Sequence, residues 1–201
     1  MWNKRYARDD YFYGTQPNTF LAEHAGKLTG PVLSLAEGEG RNGVYLASLG
    51  LDVLGVDGSS VGLEKAQKLA KEQGVSIETQ IVDLTTYTPP AEAFGAVVSI
   101  FAHLPSPDRR RLHGLVVQAL KPGGILLLEG YSKAQLEQNY GTGGPPYLDM
   151  LLDPADLQQD FADLDIQLIH QIERDVVEGT GHTGLASVVQ VIAQKKPEGA
   201  A

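Results

Sequence analysis

An alternation of short apolar runs and helical patterns begins at residue 31 and constrains the fold more than any other feature. The apolar runs predict five strands, at 31–36, 51–56, 75–82, 94–101 and 125–129. Apolar residues at helical spacing predict four helices, at 40–49, 60–73, 106–120 and 153–162. Strands that alternate with helices are typical of a mostly parallel sheet with helices on both faces.

The last third of the chain departs from this alternation. Two strand-like runs, 165–172 and 185–194, are separated by a glycine-rich turn around residues 179–181. Such a pair predicts an antiparallel hairpin at one end of the sheet. We therefore expect an α/β, Rossmann-like sheet of seven mostly parallel strands that ends in a C-terminal β hairpin.

The length of 201 residues predicts one domain, 1–201. We expect residues 31–196 to form its core. Residues 1–30 are rich in aromatic side chains and are expected to form an N-terminal helical lid.

Charge and composition argue against several classes of partner. The chain has 25 Asp and Glu against 16 Lys and Arg, and a net charge of −9 repels nucleic acids and anionic membrane surfaces. No cysteine is present and the five histidines are scattered, so we expect no metal site. The sequence shows no secretory signal and no transmembrane segment. We expect a cytoplasmic protein, either a monomer or a homodimer.

A glycine-rich loop follows the first predicted strand. Gly38, Gly40 and Gly43 fit the pattern G-x-G-x-x-G, and Asp57 lies 19 residues beyond Gly38, at the end of the second strand. This spacing is that of a dinucleotide-binding fingerprint, in which the acid accepts hydrogen bonds from ribose hydroxyls. The pattern predicts an adenosine cofactor without specifying which one.

The charge of the loop favours one type of cofactor. Glu37 and Glu39 flank Gly38, and carboxylates beside a bound diphosphate are repulsive. The same carboxylates suit S-adenosyl-L-methionine (SAM), which carries an ammonium and a sulfonium and no phosphate. The alternatives are an NAD-type Rossmann oxidoreductase and a loop whose acids point into solvent.

The chain resembles class I SAM-dependent methyltransferases over about residues 30–195. Four motifs carry the resemblance, in the order of the family: Val32–Asn42, Gly55-Val56-Asp57, Val82-Asp83-Leu84 and Leu120-Lys121-Pro122-Gly123-Gly124. Within the family the chain is most similar to the small bacterial branch of tellurite-resistance and thiopurine methyltransferases. That likeness rests on Gly40-Arg41-Asn42 and on the aromatic segment that runs from Trp2 to Asn18.

The resemblance implies roles for individual residues. Gly38 and Gly40 would let the backbone approach the methionine arm, Asp57 would bind the ribose hydroxyls, and Asp83 would accept from the adenine amino group beside Leu84. The full expected cofactor site is Tyr13, Ala36, Glu37, Gly38, Glu39, Gly40, Asn42, Asp57, Gly58, Asp83, Leu84 and Phe101. The family usually has an acid where this chain has Ser34, and Glu37 and Glu39 are the candidate replacements.

The substrate side of the expected site carries fewer signals. His103 follows the fourth strand and is the candidate general base, with a turn-fixing histidine as its alternative. His182, in the hairpin turn, is a weaker candidate whose alternative is a surface turn. Tyr11 and Tyr13 are candidate lid residues, and the loop 140–147 is expected to lie over the acceptor.

The function expected from the sequence is therefore transfer of a methyl group from SAM to a small molecule. A non-catalytic SAM-binding module stays open as an alternative beside the NAD enzyme. The identity of the acceptor is not encoded in any motif of the chain.

Overall fold

The computed structural model describes residues 2–197 and residue 199. Seven strands form one sheet: β1 Val32–Leu35, β2 Val53–Asp57, β3 Glu78–Ile81, β4 Phe94–Ile100, β5 Leu120–Tyr131, β6 Asp165–Glu178 and β7 His182–Gln194. The α-helices are α1 Trp2–Tyr6, α2 Thr19–His24, α3 Arg41–Ser48, α4 Ser60–Glu72, α5 Ser106–Ala119, α6 Ala134–Glu137 and α7 Pro154–Asp160. Two 3₁₀ turns, Ala25–Lys27 and Leu148–Met150, complete the described elements.

The strand order is β3-β2-β1-β4-β5-β7-β6. Strands β1 to β5 pair in parallel, and β7 is antiparallel to both β5 and β6. This arrangement confirms the seven-stranded α/β sheet and the C-terminal hairpin that the sequence predicts. The order reverses between β1 and β4, and ligands of such sheets bind outside the carboxyl ends of the strands at this switch point.

Local sequence explains why these elements begin where they do. The Ser59 hydroxyl accepts from the Gly62 N–H at 3.0 Å and caps α4, and Asp153 caps α7 in the same way through the Ala155 N–H. Every residue of β1 and β4 is buried, as expected for central strands covered on both faces. These strands carry the switch point on a rigid support.

Several boundaries differ from the sequence prediction, and β5 in particular runs from Leu120 to Tyr131 rather than over 125–129. Strand β3 begins at Glu78 rather than at residue 75, because its pairing with β2 starts at Leu54 and Glu78. Strands β6 and β7 extend to Glu178 and His182, which pair with each other directly beside the turn. Backbone pairing extends both strands beyond their apolar residues, so the apolar pattern predicts strands that are too short.

Residues 2–30 fold against the core rather than apart from it. Tyr6 at the end of α1 is buried, and α1 contacts α4. Asn18 caps α2 by accepting from the Leu21 N–H at 3.0 Å. No helix in the described part of the chain combines the length and the apolar composition that a bilayer crossing requires.

Candidate functional site

A cavity of about 970 Å³ opens at the carboxyl ends of β1, β2 and β4. Its walls come from the glycine-rich loop, the ends of β2 and β3, the end of β4, the N-terminal segment, the loop at 143–147 and the hairpin turn. The sequence predicts a site at this edge of the sheet. Of the expected cofactor residues, all but Gly40 line the cavity.

The glycine-rich loop lies close to its neighbours and has an unusual backbone. Ala36, Gly38 and Gly40 have φ angles of 52°, 59° and 97°, in the left-handed region that favours glycine. A Cβ atom on Gly40 would lie 2.6 Å from the Cα of Ala66 on α4. Gly40 is thus required for packing between helices, while Gly38 presents its backbone to the cavity.

Asp57 braces this loop from the end of β2. Its two carboxylate oxygens accept from the Gly38 N–H at 2.8 Å and from the Ser59 N–H at 2.7 Å. Burial raises the pKa of this carboxyl, and the two backbone donors oppose the shift. A carboxylate has about four acceptor positions, so Asp57 retains capacity for ribose hydroxyls in the cavity wall.

Asp83 and Leu84 lie at the rim of the cavity, beyond the end of β3. Asp83 is exposed, and its Oδ1 accepts from the N–H of Thr85 at 2.9 Å and from the Thr85 hydroxyl at 2.7 Å. These bonds lower the pKa of Asp83 and keep it ionised. Its position suits contact with an adenine amino group at the open end of the site.

Glu37 is buried below the loop. Its Oε1 accepts from the Gly43 N–H at 2.8 Å, and its Oε2 has no hydrogen-bond partner among the described residues. A Cβ atom on Gly55 would lie 2.7 Å from the Glu37 Cγ, so the side chain fills the space that Gly55 leaves. Burial raises its pKa to about 7. Its Oε2 is buried beneath the loop, so contact of Glu37 with a cationic arm stays a prediction.

Glu39 is engaged by the chain itself. It pairs with Lys65 of α4 and accepts from the backbone N–H of Phe12 at 2.8 Å and of Tyr13 at 3.4 Å. Glu39 is one of the two candidate replacements for the missing acid at Ser34, and that role stays a prediction. Its carboxylate ties the N-terminal segment to the glycine-rich loop.

The N-terminal segment forms part of the roof. The Tyr13 hydroxyl accepts from the Arg5 guanidinium at 3.3 Å, and its ring faces the cavity. Tyr11 packs against the core and donates to the Lys65 carbonyl at 3.3 Å, outside the cavity. Asn42 lines the cavity, and its Oδ1 anchors the same segment by accepting from the Asn18 N–H at 3.0 Å.

The geometry does not support His103 as a general base. Its Nδ1–H donates to the Met150 carbonyl at 3.0 Å, and its Nε2 accepts from the Tyr131 N–H at 3.2 Å. Burial lowers the pKa of the imidazole to about 4. Both ring nitrogens serve the backbone, so the histidine fixes the loop after β4, which was the alternative reading of the sequence.

His182 lines the cavity together with His103. It is only 8% exposed, and its ring lies 4.4 Å from Tyr13, 4.7 Å from Phe101 and 5.2 Å from Tyr131 between ring centroids. His182, the weaker candidate from the sequence, is thus a buried side chain in the wall of the cavity. A histidine beside a glycine-rich turn is expected to be exposed, so the sequence did not predict that His182 is buried.

A buried ionic network lies beneath this wall, and no motif of the sequence indicates it. Glu178 pairs with the Nη2 of Arg41 at 2.7 Å, and Asn18 donates to both Glu178 and Glu129 at 2.8 and 2.7 Å. The Nη1 of Arg41 is buried in the cavity wall without a partner among the described residues. An unpaired guanidinium nitrogen beside the glycine-rich loop fits the carboxylate of a methionine arm.

The arrangement suits SAM better than a dinucleotide. Asp57 and Asp83 follow two successive strands, as a nucleoside requires, and the carboxylates of Glu37 and Glu39 beside Gly38 would repel a diphosphate. The sheet, with its reversed last strand, is that of class I SAM-dependent methyltransferases. No three His, Asp or Glu side chains between residues 2 and 197 gather in a group that could hold a metal ion.

Comparison with known proteins confirms this class. Residues 32–124 match the family model described as a methyltransferase domain. A curated relative, the 2-heptyl-1-hydroxyquinolin-4(1H)-one methyltransferase of Mycobacteroides abscessus, is 27% identical over 122 residues. The match covers 59% of this chain and 54% of that relative, so the chain spans about half the length of the relative.

Solved structures agree on the fold. A structure from work on the conversion of a disulfide bond into a thioacetal group during echinomycin biosynthesis has a TM-score of 0.74 at 19% identity, over 99% of this chain and 92% of that one. TehB from Haemophilus influenzae has a TM-score of 0.71 at 15% identity, over 97% of this chain and 66% of that one. At these identities the likeness establishes the fold alone. SAM is the cofactor of the class.

Proposed function

We propose that this chain transfers the methyl group of SAM to a small-molecule acceptor. The observation that carries the proposal is one cavity with two kinds of lining. Carboxylates and the glycine-rich backbone form part of its wall, and aromatic side chains, among them Phe101 and Tyr131, form another part. The mycobacterial relative is named for a hydroxyquinolinone acceptor, which supports a small molecule as the substrate class.

The chain's own residues bind and orient the reactants. Asp57 binds the ribose, the rim at Asp83 and Leu84 receives the adenine, and the free Nη1 of Arg41 binds the methionine carboxylate. Bound SAM supplies an activated methyl group. Tyr13 and the hairpin turn cover the site and exclude water, so that catalysis comes from alignment of the acceptor in a dry cavity.

Calorimetry tests the cofactor directly. We expect binding of SAM and of S-adenosylhomocysteine (SAH), and no binding of NAD at the same concentration. Transfer of a radiolabelled methyl group to a panel of small aromatic and aliphatic acceptors then tests the reaction. SAM binding without transfer to any acceptor would favour a binding module, and NAD binding would favour an oxidoreductase.

Matched variants connect the binding to the site. Asp57→Asn changes the acid at the carboxyl end of β2, and Asp52→Asn changes an exposed acid just before the same strand. Only the first is expected to weaken SAM binding. The cytoplasmic location, the monomeric or dimeric state and the lack of nucleic-acid, membrane and metal partners stay predictions from the sequence.

A further inference from the structure

The cavity is lined by one histidine whose imidazole is not committed to the backbone. His182 opens β7, and Tyr13, Phe101 and Tyr131 surround its ring. Phe101 directly follows β4 at the switch point, so this histidine faces the part of the site where an acceptor meets the cofactor. Its Nδ1 is buried without a hydrogen-bond partner among the described residues.

An ionised carboxylate lies beside that nitrogen. The Oε2 of Glu178 is 3.5 Å from the His182 Nδ1, across the tight turn of the hairpin. Arg41, Asn18 and the histidine together hold the pKa of Glu178 at about 2. A carboxylate on this side favours the Nδ1–H tautomer, which leaves the lone pair of Nε2 free to take a proton.

We propose that His182 is the catalytic base of this site and that the acceptor is a neutral aromatic hydroxyl compound, an inference that rests on the methyl transfer proposed above. Glu178 is a positioning residue that fixes the tautomer and stabilises the imidazolium. The aromatic rings around His182 give an aromatic acceptor an apolar surface with which it can pack edge to face. A base is needed only where the nucleophile still carries its proton.

The proton and the electrons balance in this step. The acceptor O–H bond breaks and its proton goes to Nε2 of His182. The oxygen lone pair forms the bond to the methyl carbon, and the electrons of the broken carbon–sulfur bond stay on sulfur. The products are a methyl ether, SAH and one proton, which the imidazolium returns to solvent.

Several charged or titratable groups face His182 and set its proton affinity. They are Glu178 on β6, Arg41 on α3, Arg5 on α1, Tyr13 in the N-terminal segment, Tyr131 on β5 and His103 after β4. Burial lowers the pKa of His182, and Glu178 raises it in opposition. The balance leaves the imidazole neutral near pH 7, as a base must be.

The test uses 4-nitrophenol, whose absorbance reports its own ionisation, bound to the full chain with saturating SAH. We expect the wild-type complex to ionise the bound phenol about one pH unit below the free compound, because an imidazolium next to it favours the anion. His182→Gln should abolish this shift and leave SAH affinity within about twofold. His24→Gln, in α2 away from the cavity, is the matched histidine control.

Two further measurements extend the test, and the first needs only the wild-type protein, so the proposal stays falsifiable if the variant folds poorly. Nitrogen NMR of the wild-type protein should show His182 becoming an imidazolium when the phenol binds. In turnover with a phenol acceptor, His182→Gln should lower kcat at least about tenfold, and the loss should shrink as rising pH ionises the acceptor.

The outcomes separate the two proposals. A wild-type complex that binds SAH but no phenol would overturn the acceptor class. A phenol that ionises equally in wild type and His182→Gln, with no imidazolium signal, would overturn the base. A wild-type protein that binds neither SAM nor SAH would refute the proposed function, and this inference with it.

Discussion

Asp57 is the residue at which the fold and the cofactor site depend on the same carboxylate. Its oxygens hold the N–H groups of Gly38 and Ser59, and both donors are buried. Leaving a buried backbone donor unsatisfied costs about 1–3 kcal/mol. Asp57→Ala orphans both donors and costs roughly 2–6 kcal/mol, a large share of the roughly 5–15 kcal/mol that stabilises a typical domain.

Asp57→Asn is therefore the better perturbation. The amide keeps one acceptor oxygen and replaces the other by a donor, so we expect a stability loss of about 1–3 kcal/mol. One charge-assisted hydrogen bond to the ribose is lost as well, worth about 1.5–3 kcal/mol. That energy corresponds to a roughly 10- to 150-fold increase in the Kd of SAH.

Calorimetric titration with SAH measures the change, at a temperature where circular dichroism shows all proteins folded. Asp52→Asn, at the other end of β2, should bind SAH like the wild type. A second titration compares adenosine with its 2′-deoxy and 3′-deoxy forms, which wild type should discriminate and Asp57→Asn should not. A folded Asp57→Asn protein with unchanged SAH affinity, or with undiminished discrimination, would refute the assignment.

Three other acids and bases give separate predictions. The raised pKa of Glu37, about 7, contributes stability that is present below its unfolded value near 4.5 and is lost as pH rises through 7. Glu37→Gln should therefore be more stable than the wild type at pH 8, by up to about 3 kcal/mol in the free energy of unfolding. Near pH 4.5 the two proteins should be equally stable, and calorimetric scans at both pH values measure the difference. Glu39→Gln should speed limited proteolysis within residues 7–17, because it breaks the ion pair with Lys65. Glu72→Gln, which breaks an exposed ion pair with Lys68 on α4, should not. Equal cleavage of the two variants would show that Glu39 does not hold the N-terminal segment. The pKa of His103 is about 4 in the folded chain, so the unfolded chain binds the proton more tightly. The free energy of unfolding of the wild type should therefore fall by about 3 kcal/mol as the pH drops from 6.5 to 4. Urea titrations should show this loss for the wild type and not for His103→Gln.

The order of strands and helices from residue 31 onward follows from local pattern. Val32–Leu35 and Phe94–Ile100 are short apolar runs, and a chain segment that buries both faces must lie in the middle of a sheet. An acid directly after a parallel strand must lie at the carboxyl edge. The sequence could therefore predict the fold class and place Asp57 and Asp83 in the correct wall.

The roles of the other polar residues could not be predicted this way. Glu37 and Glu39 are two positions apart, yet one lies under the loop and the other holds Lys65 and the N-terminal segment. Arg41 is recognisable as part of a motif, but its partner Glu178 is 137 residues away in the chain. Spacing along the chain carries no information about such partners.

The two histidines show where the limit lies. Sequence determined that His103 follows a strand at the ligand-binding edge and that His182 lies by a hairpin turn. Tertiary structure alone decided that Met150 and Tyr131 occupy both nitrogens of His103, and that Tyr13 and Phe101 enclose His182. Periodicity and turn residues fix the edge of the sheet at which a side chain lies, because they act over a few residues. Which groups surround that side chain depends on how distant loops pack together, and that packing is settled only when the whole core forms.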